Sequence, residues 1–211
     1  MKEKDDIEEY GQITTSNNHK IQVVSIIGEI EGHECLPATS KTTKYEHILP
    51  QLVSWEMNDE IEAILFVINT VGGDVAAGLA IAEMINSMKK PTVSLVIGDS
   101  HSIGVPLAVA AKYSFIAPSA TMIIHPVRMN GLIIGAPQTY DYFKMIQDRI
   151  VKFISKHSKI QQKEIEKMMF NKGVLTKDLG TILVGEDAVE KGLINEVGGL
   201  KEVIEHIEKM I

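Results

Sequence analysis

Two short apolar runs, the continuous Ala63–Ile68 and Val93–Ile97, which one serine interrupts, each lead into a glycine-bearing turn and then into a small-residue stretch with helical spacing. An unbroken apolar strand suits a sheet covered on both faces, because neither face then meets water. Helices between such strands carry the chain back to the same sheet. The pattern therefore predicts βαβ units, a mostly parallel sheet and an α/β fold class. The turns read Ile68-Asn69-Thr70-Val71-Gly72-Gly73-Asp74 and Gly98-Asp99-Ser100-His101-Ser102-Ile103-Gly104. Glycine lets backbone N–H groups face a ligand, and a helix start leaves its first N–H groups without helical acceptors. A serine on one such turn facing amides of the other is a layout for acyl transfer.

The rest of the chain fits this frame. Ile21–Ile30 alternates and is rich in β-branched residues, which predicts a strand. Gly32–Lys44 reads as a loop, Tyr45–Met57 and Asp74–Met88 as helices, and Thr92–Ile97 as a strand opened by Pro91. Ser102–Lys112 reads as a buried helix with Pro106 in its first turn, where proline is tolerated. Tyr113–Ile116 and Thr121–Ile124 read as strands. Pro137–His157 is a long amphipathic helix and Gln161–Phe170 a shorter one. The tail carries Glu186–Lys191, Leu193–Val197 and a last helix over Leu200–Ile211. Residues 1–20 are polar and charged and read as a flexible N-terminal segment before one domain over 21–211, with a helical arm over about 135–171.

Charge and composition exclude several classes. The formal net charge of −7 and the lack of a basic stripe argue against nucleic acid as a partner. A single cysteine, Cys35, permits no intrachain disulfide, which suits a reducing, cytoplasmic setting. No apolar run approaches the roughly 18 residues of a membrane span, so no transmembrane segment is expected. No H-E-x-x-H, clustered Cys/His or G-x-x-x-x-G-K-[ST] pattern occurs, so neither metal nor organic cofactor is expected.

A serine hydroxyl is a poor nucleophile until a base takes its proton and N–H donors receive the developing oxyanion. Ser102 stands at a predicted helix start, and His125 follows at the end of a predicted strand, where parallel sheets place their sites. Taken singly, each signal has a plainer reading. Ser102 is a helix cap, Gly72-Gly73 a tight turn and His125 a satisfied polar residue. Order and spacing favour the chemical reading.

Those segments resemble the ClpP family of serine peptidases. INTVGGDVAAGLAIAEMI is similar to the family's INSPGG motif and the helix after it. GDSHSIGVPLAVAA is similar to its nucleophile motif, and MIIHP to its histidine motif. EDAVEKGLIN and GEIEGH match further elements, and the interval from Gly73 to Ser102 has the family's length. The resemblance spans about residues 21–198. It implies the ClpP/crotonase fold, a superhelix of repeated ββα (βαβ-like) units with a protruding helical arm. It implies Ser102 as nucleophile, His125 as base, and Gly73 and Ile103 as oxyanion-hole amides. It also implies a polypeptide substrate, a homo-oligomeric ring, and an unfoldase or export-machinery partner. The third triad member is expected near Gly180. Asp178 is the nearest carboxylate there, with Asp99 and Glu186 as alternatives. Val71 replaces the family's proline in the INSPGG turn, and Thr70 its serine.

Other readings stand beside this one. Ser100 of GDSH could be the nucleophile of a lipase-like esterase, and the Gly73 amides could serve a crotonase-type thioester. A Ser–Lys dyad would need Lys112 or Lys144. A chain with an incomplete triad would be a weak or inactive scaffold subunit.

Overall fold

In the computed structural model, residues 11–15, 19–128, 135–172 and 179–211 are described. Asp178 lies outside them, as do residues 1–10 and 16–18 of the expected N-terminal segment. Within that segment Gln12–Thr14 form a strand, β1. The elements then run β2 (Ile21–Glu31), β3 (Thr42–Lys44), α1 (Tyr45–Met57), β4 (Ala63–Gly73), α2 (Val75–Ser87), β5 (Thr92–His101) and α3 (Gly104–Val109). They continue β6 (Tyr113–Ile116), β7 (Thr121–Ile124), α4 (Ala136–Lys156), α5 (Gln162–Met169), β8 (Thr181–Val184), α6 (Glu186–Glu190), β9 (Glu196–Val197) and α7 (Leu200–Met210).

The strands form one mixed sheet in the order β1-β2-β4-β5-β6-β9, with β3 on β2 and a β7–β8 branch beside β5. β2, β4, β5, β6 and β9 pair in parallel along the main path, while β1–β2 and β7–β8 are antiparallel. Both faces of the centre are covered, which accounts for the two apolar runs. Ile64, Phe66, Ile68 and Val96 face a core shared with α1, α2 and α3. Ala63, Leu65, Val93 and Leu95 face the other way, onto Val203 and Ile207 of α7. Successive residues on a strand point to opposite faces, so one apolar run serves both cores.

Most predicted elements stand within a residue or two of their expected bounds. The two turns do not. Gly72-Gly73 ends β4, and Gly98–His101 is strand. The ladders outlast the apolar residues. β2 pairs Glu29 with Gly72 and Ile30 with Gly73, and β7 pairs with Asp99–His101. β3 and β8 are further strands in segments without a strand pattern of their own, and their neighbours' free edges recruit them. α3 is shorter than the expected Ser102–Lys112 helix.

α4 is two-sided. Tyr140, Tyr142 and Met145 in its first half are exposed, while Ile150, Val151, Phe153 and Ile154 in its second half are buried. The first half is the protruding part of the arm, and the second half belongs to the body. Among the described residues no helix is long and apolar enough to cross a membrane.

Phe66 is fully enclosed in the core under α2 and α3. Replacing Phe66 by Ala is expected to lower the unfolding free energy by about 3–5 kcal/mol, measured by urea denaturation. A loss below about 1 kcal/mol would show that this side of the sheet is not the core described.

Candidate active site

Past Ile68, β4 and β5 change register, so that Thr70 comes opposite Ser100. Asn69 spans the irregularity, its Oδ1 accepting the Asp99 N–H at 2.9 Å. The Thr70 hydroxyl donates to the Gly28 carbonyl at 2.5 Å and accepts the Gly72 N–H at 3.1 Å. One side chain thus sets the path of the glycine pair. Gly72 and Gly73 have φ of 95° and 146°, which L side chains rarely adopt. A Cβ on Gly73 would collide with the Ile30 carbonyl oxygen. A Cβ on Gly72 would stand 2.8 Å from the Ser102 Cβ and 3.5 Å from the Ile103 nitrogen. The missing side chain of Gly72 lets the end of β4 touch the end of β5, and that of Gly73 lets it lie against Ile30 of β2. Asp74 then caps α2, its Oδ1 accepting the Ala77 N–H at 2.7 Å.

Ser102 has φ of 56°, the only non-glycine residue with positive φ among those described. Such a conformation costs energy and persists only where the surroundings hold it, commonly at functional sites. Its own N–H is held by the Ile123 carbonyl at 2.9 Å. The cap position of α3 belongs to Ile103, so Ser102 is not the helix cap. Ile103 packs its fully buried side chain against Gly78 of α2, which ties the serine turn to the helix after the glycine pair.

Gly73, Ser102 and His125 line one hollow of about 200 Å³. Val75, Val105, Ile124, Val127 and Arg128 line it too, with Ile150 and Ile154 of α4 and Met169 of α5. The sequence-predicted Ser102, His125 and Gly73 are therefore brought together, in a pocket with an apolar wall. The His125 Nδ1 lies 2.7 Å from the Pro126 carbonyl oxygen. A proton on Nδ1 donates there and leaves the Nε2 lone pair as the basic position.

The alternative residues fall elsewhere. Ser100 is fully buried, and its Oγ lacks a partner among the described residues, so the esterase reading of GDSH loses its nucleophile. Asp99 accepts the Thr121 hydroxyl at 2.7 Å, and His101 Nε2 lies 2.8 Å from the same hydroxyl. Asp99 is thus part of a polar staple between β5 and β7, the two strands that carry Ser102 and His125. Glu186 is exposed at the start of α6 and does not line the hollow. Lys112 donates to the Lys89 carbonyl, and Lys144 pairs with Asp148 at 2.7 Å. Neither lysine lines the hollow.

Reading the sequence missed the apolar wall supplied by α4 and α5. The Ile150/Ile154 pair, spaced for one helix face, was its only signal. It also missed the Asp99–Thr121–His101 staple, whose members are joined only by strand register.

With this mostly parallel α/β sheet and its serine and histidine on one hollow at the strand ends, the chain belongs to the Clp protease family, matched over residues 17–201. It is 54% identical over 207 residues to Translocation-enhancing protein TepA of Halalkalibacterium halodurans, covering 97% of this chain and 81% of that one. It is 32% identical over 143 residues to an ATP-dependent Clp protease proteolytic subunit of Leuconostoc citreum, covering 67% and 65% of the two chains. It is 30% identical over 165 residues to proteolytic subunit 1 of Protochlamydia amoebophila, covering 75% and 76%.

Burial depresses the His101 pKa, and the neighbouring Asp99 opposes the shift without reversing it. A histidine depressed in the folded state leaves stability intact above its unfolded pKa and lowers it as pH falls below that value, about 6.5. Unfolding free energy is therefore expected to fall as pH drops below about 6.5. The His101→Asn protein should show a shallower fall in parallel denaturant titrations. Equal slopes would mean that His101 is not held neutral.

Proposed function

We propose that the chain is a serine peptidase that cleaves peptide bonds through an acyl-enzyme. The observation that carries this reading is the convergence of Gly73, positive-φ Ser102 and His125 on one hollow. In this reading the Ser102 Oγ attacks the scissile carbonyl carbon while the His125 Nε2 takes its proton. The carbonyl oxygen becomes an oxyanion held by the Gly73 and Ile103 N–H groups. His125 then gives its proton to the leaving amine as the C–N bond breaks. Water, deprotonated by the same nitrogen, attacks the ester, and its collapse returns the proton to Ser102. The Ile103 N–H precedes α3 and has no helical acceptor, which suits the donor role. The apolar wall of Val75, Val105, Ile150, Ile154 and Met169 suits a hydrophobic side chain next to the scissile bond.

The third member remains Asp178 in this proposal, on the family pattern. A carboxylate there would hold the imidazolium that forms in the transition state. The Pro126 carbonyl competes for the role of orienting the ring, because it already lies within hydrogen-bond distance of Nδ1. The proposal extends to a single domain over 21–211, a homo-oligomeric ring built in part through the exposed half of α4, and a cytoplasmic location. The name of the 54%-identical relative adds protein export as the physiological setting, and the family resemblance adds an unfoldase or export-machinery partner.

The test is a fluorophosphonate probe on the purified full-length protein, with peptide cleavage in parallel. Labelling is expected in the parent chain and absent in Ser102→Ala, with the rate of His125→Ala down by about 10³-fold or more. Asp178→Asn separates the two orienters. A fall of about 10²–10⁴-fold assigns the role to the aspartate, and an unchanged rate assigns it to the Pro126 carbonyl. A parent protein that is never labelled would make the chain a scaffold or binding subunit.

A further inference from the structure

A second hollow, about 350 Å³, lies between α2 and α4. Its floor is Ala76, Leu79, Ala80 and Phe153, and its rim carries Arg149, Lys152, Lys156 and His157 against one acid, Glu83. Among the described residues, the side chains of Arg149, Lys152 and Lys156 form no ion pair with a carboxylate. This stands out in a chain of net charge −7, where carboxylates outnumber cations. The positive field reaches His157, whose basicity is lowered first by burial and then by Lys156, with Glu83 opposing.

The spacing of the cations limits what they can hold. Arg149, Lys152 and Lys156 share one face of α4 and rise about 4.5 and 6 Å apart along its axis. A lone phosphate or carboxylate reaches one or two of them and leaves the apolar floor uncovered. Carboxylates at alternate residues of an extended peptide stand about 6.6 Å apart on one side, near the spacing of the lysines. The residues between them can cover Leu79 and Phe153. Ala76 and Ala80 keep the α2 wall low enough to admit a backbone.

We infer that this groove is an exosite for acidic, partly apolar segments of polypeptide substrates. The word substrate rests on the peptidase reading above. Both walls adjoin the Ser102 hollow, since Val75 of α2 and Ile150 and Ile154 of α4 line that hollow while their neighbours Ala76, Arg149 and Phe153 line the groove. A chain held in the groove lies about one helix diameter, roughly 10 Å, from the candidate nucleophile.

The probe is a fluorescein-labelled decapeptide with Glu at alternate positions and one Phe among Ser residues, titrated by anisotropy with the full-length Ser102→Ala protein. Saturable binding is expected, weakening as salt rises from about 0.05 to about 0.5 M. Lys152→Glu/Lys156→Glu should weaken it about tenfold or more. Ala80→Trp, which fills the groove and changes no charge, should weaken it too, with thermal melts checking that both variants fold. A flat titration overturns the inference, and so does an affinity that survives both variants. Equal binding of the Gln-for-Glu peptide, or tighter binding of inorganic phosphate or a dT decamer, overturns it as well. Because the assay reads binding on a protein without Ser102, its failure leaves the peptidase reading standing. A failed labelling test, in turn, leaves the groove's ligand unaffected.

Discussion

The structure depends on one close backbone approach, the end of β4 against the end of β5. A side chain at Gly72 would push the Ser102 Cβ away, while one at Gly73 would strike the Ile30 carbonyl on the other neighbour, β2. Strands in a sheet normally keep about 4.8 Å between backbones and fill the space above with side chains. Here that space is emptied. The result is a hollow at the strand ends instead of more core. The cost is local strain, seen in the φ of 56° at Ser102. The Ile123 carbonyl and the seating of Ile103 on Gly78 hold the residue there.

Around that contact, each polar side chain has a mechanical job. Thr70 fastens the glycine pair to β2, and Asn69 spans the register change into β5. Asp99, Thr121 and His101 hold β5 to β7, so that the strand bearing the serine keeps its register with the strand that ends at the histidine. The helices are two-sided in the same economical way. α2 and α4 each give one face to the Ser102 hollow and the next face to the basic groove. A ligand in either hollow thus leans on walls of the other.

Much of this was legible in the residues, and the reason differs from part to part. Ala63–Ile68 and Thr92–Ile97 announced buried parallel strands because both sheet faces are dry, and the bounds of α1, β6 and β7 followed from periodicity. The glycine segments were legible as special but not as strand, because what extends them is pairing with Glu29–Ile30 and with Thr121–Ile123, far away in the chain. β8 carried no signal beyond three apolar residues and is a strand only because β7 offers it a free edge. In GDSHS the family pattern favoured Ser102, and Ser100 stood as the rival hydroxyl. In the fold Ser100 is a fully buried residue of β5, whereas Ser102 lies just past the end of that strand, turns at positive φ and lines the hollow.

The sequence by itself determined the fold class, the serine and histidine worth testing, and the glycines they would need, because local periodicity and backbone freedom are written residue by residue. Tertiary structure alone decided which serine is accessible, that α4 helps build the hollow, and that three cations of α4 come to rest over an apolar floor without carboxylate partners among the described residues. Those outcomes depend on distances between segments remote in sequence, and such distances exist only once the sheet has closed its register and the helices have packed on it.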